Sequence, residues 1–226
     1  MKLGIVGTGK IVGWVAPNLA GWDVEIVAIA GTPRSSATVE AMADKYRAAG
    51  RYTDWHDLMA DERVDTVYVA TPNSLHYDVT KAALLAGKDV ICEKPLTSRF
   101  DQAEKLARLA KKQDRFLWEA VVTTRQPNYK NVKRLLPRIG TVKMATTTFS
   151  QYSSRYDAFR AGEVLPAFDP AKAGGALMDL GLYTLTFTLG LFGEPLRATY
   201  VPNIERDIDT SGVAILEYDG FTALNI

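Results

Sequence analysis

The sequence predicts an α/β fold: a doubly wound parallel sheet first, then an α+β region with a mostly antiparallel open sheet. Three observations carry this. Short, continuously apolar runs alternate with helical patterns through the first half, as in parallel strands covered on both faces. A glycine turn, Gly7-Thr8-Gly9, follows the first of these runs. After about residue 126 the alternation stops, and β-rich stretches surround one long apolar helix. The expected division is residues 1–122 and residues 123–226.

Residues 3–6, Leu3-Gly4-Ile5-Val6, read as the first strand, and residues 24–30 as the second. Residues 53–60 read as a short helix with Trp55, Leu58 and Met59 facing inward. A strand over 66–70 leads to a helix over 75–86, which Gly87 closes as a left-handed cap. Residues 89–92 are the next strand. The helix over 99–112 is amphipathic, with Phe100, Ala103, Leu106, Ala107 and Ala110 on one face. Ser98 and Asp101 have the spacing of a capping box at its start. A strand over 116–122 ends the first half.

The second half opens with a connecting helix over 129–136, closed by Pro137 and Gly140. Strands are expected over 142–150, 198–201, 213–218 and 221–226, with a helix over 176–191. The apolar stretch 174–193 is expected to be a buried helix of a soluble protein. Asp179 interrupts it, and the charge-free run after it is shorter than the roughly 18 residues of a membrane span.

Composition narrows the function classes. With 226 residues, 47% of them hydrophobic, the chain can bury a sizeable core. Its 27 basic and 26 acidic residues nearly cancel without a basic block, which gives a nucleic-acid partner no electrostatic support. The single cysteine, Cys92, rules out an intrachain disulfide and suits a reducing cytoplasm. No metal-ligand spacing is present, and the glycine turn interrupts what would be a signal-peptide core.

Doubly wound sheets bind ligands beyond the carboxyl ends of their strands, and three notable turns are expected there. Gly7 and Gly9 fit the first two positions of G-x-G-x-x-G, but Val12 holds the third and Gly13 comes one residue late. The match points to a dinucleotide phosphate at a helix start, with an ordinary strand-to-helix turn as the alternative. After the second strand, an acid would bond the ribose of NAD. Here the residues are Gly31-Thr32-Pro33-Arg34-Ser35, so Arg34 is expected to pair with the 2′-phosphate of NADP unless it is a solvated loop arginine. In Glu93-Lys94-Pro95, the Lys94 ammonium can polarise a substrate oxygen, while Glu93 positions the lysine or touches the cofactor. A surface turn with a chance ion pair is the alternative there.

Four blocks together carry a family resemblance. They are Gly7-Thr8-Gly9-Lys10-Ile11, Val67-Tyr68-Val69-Ala70-Thr71-Pro72-Asn73 with His76, residues 86–96 around Glu93-Lys94-Pro95, and residues 174–183 ending in Asp179-Leu180-Gly181-Leu182-Tyr183. Over nearly its whole length the chain resembles the Gfo/Idh/MocA oxidoreductases, the glucose-fructose oxidoreductase and inositol dehydrogenase group. The resemblance implies an NAD(P)-dependent enzyme that transfers a hydride between nicotinamide and a sugar, polyol or cyclic diol; the expected preference for NADP rests on Arg34. It implies a Rossmann cofactor domain whose contacts are Gly7, Thr8, Gly9, Lys10, Ile11, Arg34, Thr71, Pro72, Asn73, Glu93 and Lys94. It implies that the Lys94-Pro95 peptide is cis, and that Lys94 binds the reacting oxygen. Tyr183 stands where many members have histidine, and is implied as the proton carrier, with the Lys94 ammonium favouring its phenolate. Asp179, four residues earlier, is implied to orient the substrate. No metal is implied.

His76 is expected to be a packing residue at a helix start, and Trp118 and Glu119 are read as structural. Arg125 is left outside the site. The loop 150–174, with Tyr152, Arg155, Tyr156 and Phe168, is expected to shape the substrate pocket. Family members usually continue further, so the chain is expected to be incomplete. The resemblance also implies a homo-oligomer through the second sheet. Two other readings stay open: a non-catalytic dinucleotide-binding regulator of the same fold, and an enzyme that keeps its nicotinamide bound through each cycle.

Overall fold

The computed structural model describes residues 1–226, which divide into two compact units, Met1–Ala120 and Val121–Ile226. The first unit runs β1 Lys2–Val6, α1 Lys10–Val15, β2 Glu25–Ala30, α2 Ser36–Tyr46, β3 Gly50–Tyr52, α3 Trp55–Ala60, β4 Thr66–Val69, α4 His76–Leu85, β5 Asp89–Cys92, α5 Phe100–Gln113 and β6 Leu117–Glu119. All strands pair in parallel, in the order β3-β2-β1-β4-β5-β6. This is the doubly wound order, which reverses between β1 and β4.

The strands read as continuous apolar runs because both faces of this sheet are covered. Leu3, Ile5, Ile26 and Ile29 pack with Val12 of α1 and Val39 of α2. Val6, Val67, Val69 and Val90 face the other way, against Leu58, Leu84 and Leu106 of α3, α4 and α5. Each such side chain contributes roughly 1.5–3 kcal/mol by leaving water. Lys88 is buried at the start of β5, and its Nζ donates to the carbonyls of Asp61 (2.9 Å) and Val64 (2.8 Å). Nearby, the buried Asp61 carboxylate accepts from Arg63 Nε (2.9 Å), Arg63 Nη2 (2.8 Å) and the Tyr52 hydroxyl (3.0 Å). The Arg63 bonds outweigh burial and hold the Asp61 carboxyl down at about 2.

Several expectations are corrected here. The capping box at α5 does not form: Arg99 is the N-cap with no side-chain bond, and Asp101 binds Arg99 and Lys105 instead. Phe100 is 80% exposed, so the buried stripe of α5 is Leu106 and Ala110, not a face beginning at residue 100. The strand expected over 116–122 is only β6: the bond from Ala120 N to the Cys92 carbonyl (2.8 Å) is the last to β5, and a 3-10 turn begins at Thr123. Gly87 does take a left-handed φ of 72° after α4.

The second unit contains α6 Pro127–Leu135, β7 Met144–Thr147, α7 Tyr156–Arg160, a π-helical turn Leu177–Gly181, α8 Leu182–Phe192, β8 Arg197–Glu205, β9 Ile208–Tyr218 and β10 Phe221–Asn225. Its sheet has the order β7-β10-β9-β8, antiparallel except for β7 with β10. Arg206 and Asp207, both at positive φ, close the β8–β9 hairpin. Two successive positive φ values match the right-handed twist of the strands.

The helix expected to be buried is not. Of α8 only Thr184 and Thr188 are buried, and its leucines are half-exposed or exposed. The buried side is polar: Thr188 Oγ1 and Thr147 Oγ1 both donate to Asn225 Oδ1, at 2.6 and 2.8 Å. By length and composition Pro170–Phe192 would suffice to cross a membrane. However, Ala173 and Gly175 at positive φ break the stretch. The helix from Leu177 onward rises only about 24 Å at 1.5 Å per residue, against about 30 Å of hydrocarbon.

Candidate functional site

The glycine turn leaves β1 beside the end of β4. Gly7 has φ 124°, and a Cβ there would lie 2.2 Å from the Ala70 carbonyl oxygen. Only glycine fits that close approach. Gly9 differs: it is the N-cap of α1, with ordinary φ and nothing within 4 Å of a Cβ position. Val12, in place of the third glycine, is fully buried in the core, and Gly13 packs against nothing. The close packing usually given by the third glycine is therefore absent from this helix.

At the end of β2, Gly31 is required by contacts that the sequence did not signal. A Cβ there would meet Ser35 Oγ at 2.5 Å and Val39 Cγ2 at 2.7 Å. The next residues fold into a closed turn, in which Ser35 Oγ accepts from Thr32 N (2.8 Å) and Ser35 N donates to the Thr32 carbonyl (2.9 Å). Arg34 projects from this turn and is exposed. Arg51, on neighbouring β3, is instead neutralised by Glu40 and Asp44.

Thr71-Pro72-Asn73 follows β4, and Glu93-Lys94-Pro95 follows the adjacent β5. The Thr71 hydroxyl is buried with no hydrogen-bond partner, in a turn that begins one residue after the Ala70 carbonyl at Gly7. An orphaned hydroxyl costs about 1–3 kcal/mol unless a ligand supplies its partner. A glycine held against backbone, an open Gly9 and this orphan together fit a dinucleotide along the β1–β4 edge.

Glu93 is already engaged. Its Oε1 accepts from the Tyr68 hydroxyl at 2.5 Å, and its Oε2 from the Lys94 backbone N–H at 3.3 Å. Burial, then the Glu93 bond, pushes the Tyr68 hydroxyl well above the usual phenol range, so it stays a donor. Of the two roles expected for Glu93, positioning the lysine turn is the one these bonds serve. The Lys94-Pro95 peptide is cis. Glu119, at the end of β6, accepts from Leu96 N at 2.7 Å and anchors the far side of the same turn. Cys92 lies beneath, with its Sγ 3.8 Å from the Leu96 carbonyl and its thiol pushed by burial up to about 12.

Asp179 and Tyr183 belong to the second unit. Asp179 lies in the π turn rather than a regular α-helix, so its four-residue spacing to Tyr183 is not the simple α spacing expected. The π turn is pinned by Asp209, which accepts from Leu177 N (2.7 Å) and the Tyr200 hydroxyl (2.7 Å). Arg155 forms a loose ion pair with Asp179 at 3.8 Å. Tyr183 meets Phe149 edge-on, with ring centroids 5.4 Å apart. Within the loop 150–174, Tyr156 and Phe168 pack around Phe159, and Tyr152 bonds Asp157 at 2.6 Å.

The first unit is thus a dinucleotide-binding domain by strand order, glycine turn and orphaned edge hydroxyl. Its residues 1–121 match the model described as the oxidoreductase family with an NAD-binding Rossmann fold. Residues 129–224 match the GFO/IDH/MocA C-terminal domain. The chain belongs to the Gfo/Idh/MocA oxidoreductase family.

Relatives agree. scyllo-Inositol 2-dehydrogenase (NADP(+)) IolU of Bacillus subtilis is 37% identical over 99% of this chain and 68% of its own length. D-xylose 1-dehydrogenase (NADP(+)) 2 of Haloferax volcanii is 33% identical over 99% of this chain and 68% of its own. The 3-ketoreductase KijD10 of Actinomadura kijaniata, solved with NADP, superposes with a TM-score of 0.83 at 27% identity, over 99% of this chain and 67% of its own. KijD10 has also been solved as a lysine-to-alanine and as a tyrosine-to-phenylalanine variant. The chain spans about two thirds of the length of these relatives.

Proposed function

We propose that the chain is a soluble, cytoplasmic, homo-oligomeric NADP-preferring dehydrogenase or reductase. Its substrate is a sugar, polyol or cyclic diol. The observation that carries the cofactor half is the buried, partnerless Thr71 hydroxyl beside the Gly7 turn. Gly7, Thr8, Gly9, Lys10 and Ile11 hold the pyrophosphate, Arg34 the 2′-phosphate, and Thr71, Pro72 and Asn73 the nicotinamide side, while Glu93 holds the lysine turn in place beside it. When bound, the nicotinamide gives or takes the hydride.

Lys94 binds the reacting oxygen, and its fixed positive charge is worth most where that oxygen gains negative charge. Tyr183 takes or returns the hydroxyl proton, and Asp179 orients the substrate. The relatives are named for NADP and for polyol or sugar substrates, which supports the substrate class. A regulator without turnover gains no support from them.

The test is a panel of sugars, polyols and diols with both cofactors, followed at the reduced-nicotinamide absorbance band. Lys94→Ala should lower turnover by ~1,000-fold while dinucleotide affinity stays within a few-fold. Full activity in that variant defeats the mechanism, and dinucleotide binding with no turnover on any substrate favours the regulator.

A further inference from the structure

His76 is the first residue of α4 and is 1% exposed. Its ring does more than pack. Nδ1 lies 2.6 Å from the Pro95 carbonyl oxygen, and Nε2 lies 2.9 Å from the Thr71 carbonyl oxygen. Both partners are carbonyls, which only accept. A neutral imidazole has one N–H and one bare nitrogen, so it can satisfy one carbonyl and must turn a lone pair toward the other. Only the imidazolium donates to both, through charge-assisted bonds. The helix start and burial both disfavour a cation, so the two charge-assisted bonds are what must hold the proton.

We infer that His76 is a doubly donating imidazolium that ties the Thr-Pro-Asn turn to the Glu-Lys-Pro turn, a positioning residue for Thr71 and Lys94. The two carbonyls are 24 residues apart in sequence and end adjacent strands. Each belongs to a turn with its own anchors: Gly7 against Ala70 on one side, Glu119 on Leu96 at the other. The histidine joins the two into one frame. Its catalytic consequence rests on the roles proposed above for Thr71 and Lys94; the tie itself does not.

The chain has two histidines, so His56→Gln leaves His76 as the sole imidazole. Nitrogen NMR of the labelled full chain at neutral pH is expected to show both ring nitrogens protonated. One bare ring nitrogen overturns the inference, and so does a neutral ring of either tautomer. His76→Leu removes both donors, whereas the amide nitrogen of His76→Gln keeps two N–H bonds. With native circular dichroism retained, the leucine variant should lose ~100-fold in kcat with a smaller change in KM, because a displacement of about 1 Å at a reacting group costs that much. The glutamine variant should recover at least ~10-fold of it. Equal activity in the two variants, or wild-type kcat in the leucine variant, refutes the tie. If wild-type protein fails to bind NADPH by fluorescence, the functional reading falls, and the nitrogen spectrum still decides the tie.

Discussion

Gly7 and Gly9 stand two residues apart in one turn, yet adding a methyl group to each should have opposite consequences. In Gly7→Ala the new Cβ would sit 2.2 Å from the Ala70 oxygen and 2.7 Å from its carbonyl carbon. Both are backbone atoms of the neighbouring β4 end, so no side chain can swing aside. A non-glycine residue at φ 124° adds backbone strain of about 1–3 kcal/mol. Forcing two strands apart adds about 1–3 kcal/mol more. The variant should therefore lose roughly 2–6 kcal/mol, a large share of the ~5–15 kcal/mol that holds a domain together. Gly9→Ala meets nothing within 4 Å and needs no unusual φ, so its stability should stay within about 0.5 kcal/mol of wild type. The cost there should fall on NADP, whose phosphates would approach the open backbone, with affinity down ~10-fold or more. Urea unfolding and NADPH fluorescence titration of both variants give the four numbers required. Equal stability of Gly7→Ala and wild type would refute the steric argument. Unchanged NADPH affinity in Gly9→Ala would refute the placement of the phosphates.

Two further outcomes follow. Arg34→Ala should weaken NADP by ~10–100-fold, the worth of charge-assisted bonds to a phosphate, and leave NAD unchanged; paired Kd measurements check it, and an unaltered NAD-to-NADP ratio counts against Arg34. Acid should destabilise the first unit through Asp61, whose carboxyl is held at about 2 against 3.8 for the free group. A depressed carboxyl stabilises above its unfolded value and loses that stability as pH falls through the folded one, here from about 4 down to 2. The shift corresponds to roughly 2 kcal/mol. Unfolding free energies of wild type and Asp61→Asn, measured across that window, should converge as the pH drops.

The sequence made the sheet legible where burial alone decides a strand. β1, β2, β4 and β5 are apolar on both faces, and no other element type suits runs so short between helices. β3 was not legible: Gly50-Arg51-Tyr52 has no pattern of its own and is a strand only because Ala28–Ala30 offers an edge. The π turn was hidden for a similar reason. Asp209, more than thirty residues away, holds Leu177 N, and nothing local distinguishes that turn from ordinary helix. β8 extends past its apolar portion because the Arg206-Asp207 turn zips it to β9. At the site, Gly7, Thr71 and Lys94 announce themselves by following strands. Gly31 and His76 do not, since a packing glycine and a two-carbonyl bridge are defined by partners that sequence spacing does not reveal. The helix expected to be buried misled because its leucines were counted as core, whereas Thr184 and Thr188 are the side chains that face the sheet.

Cys92 gives the lysine turn a built-in clock. It is the chain's single thiol, fully buried, and held in its unreactive protonated form by a pKa near 12. A thiol reagent can reach it only while its surroundings at the end of β5 are open, and those include the Leu96 carbonyl of the same turn that carries Lys94 and the Thr80 hydroxyl of α4. The labelling rate in native conditions is then the product of reagent chemistry and the fraction of time this turn spends open. A ligand that closes over the turn slows the reaction in proportion to its occupancy. The residue that contributes least to the chemistry thus records, without any added probe, how often the machinery around the lysine comes apart.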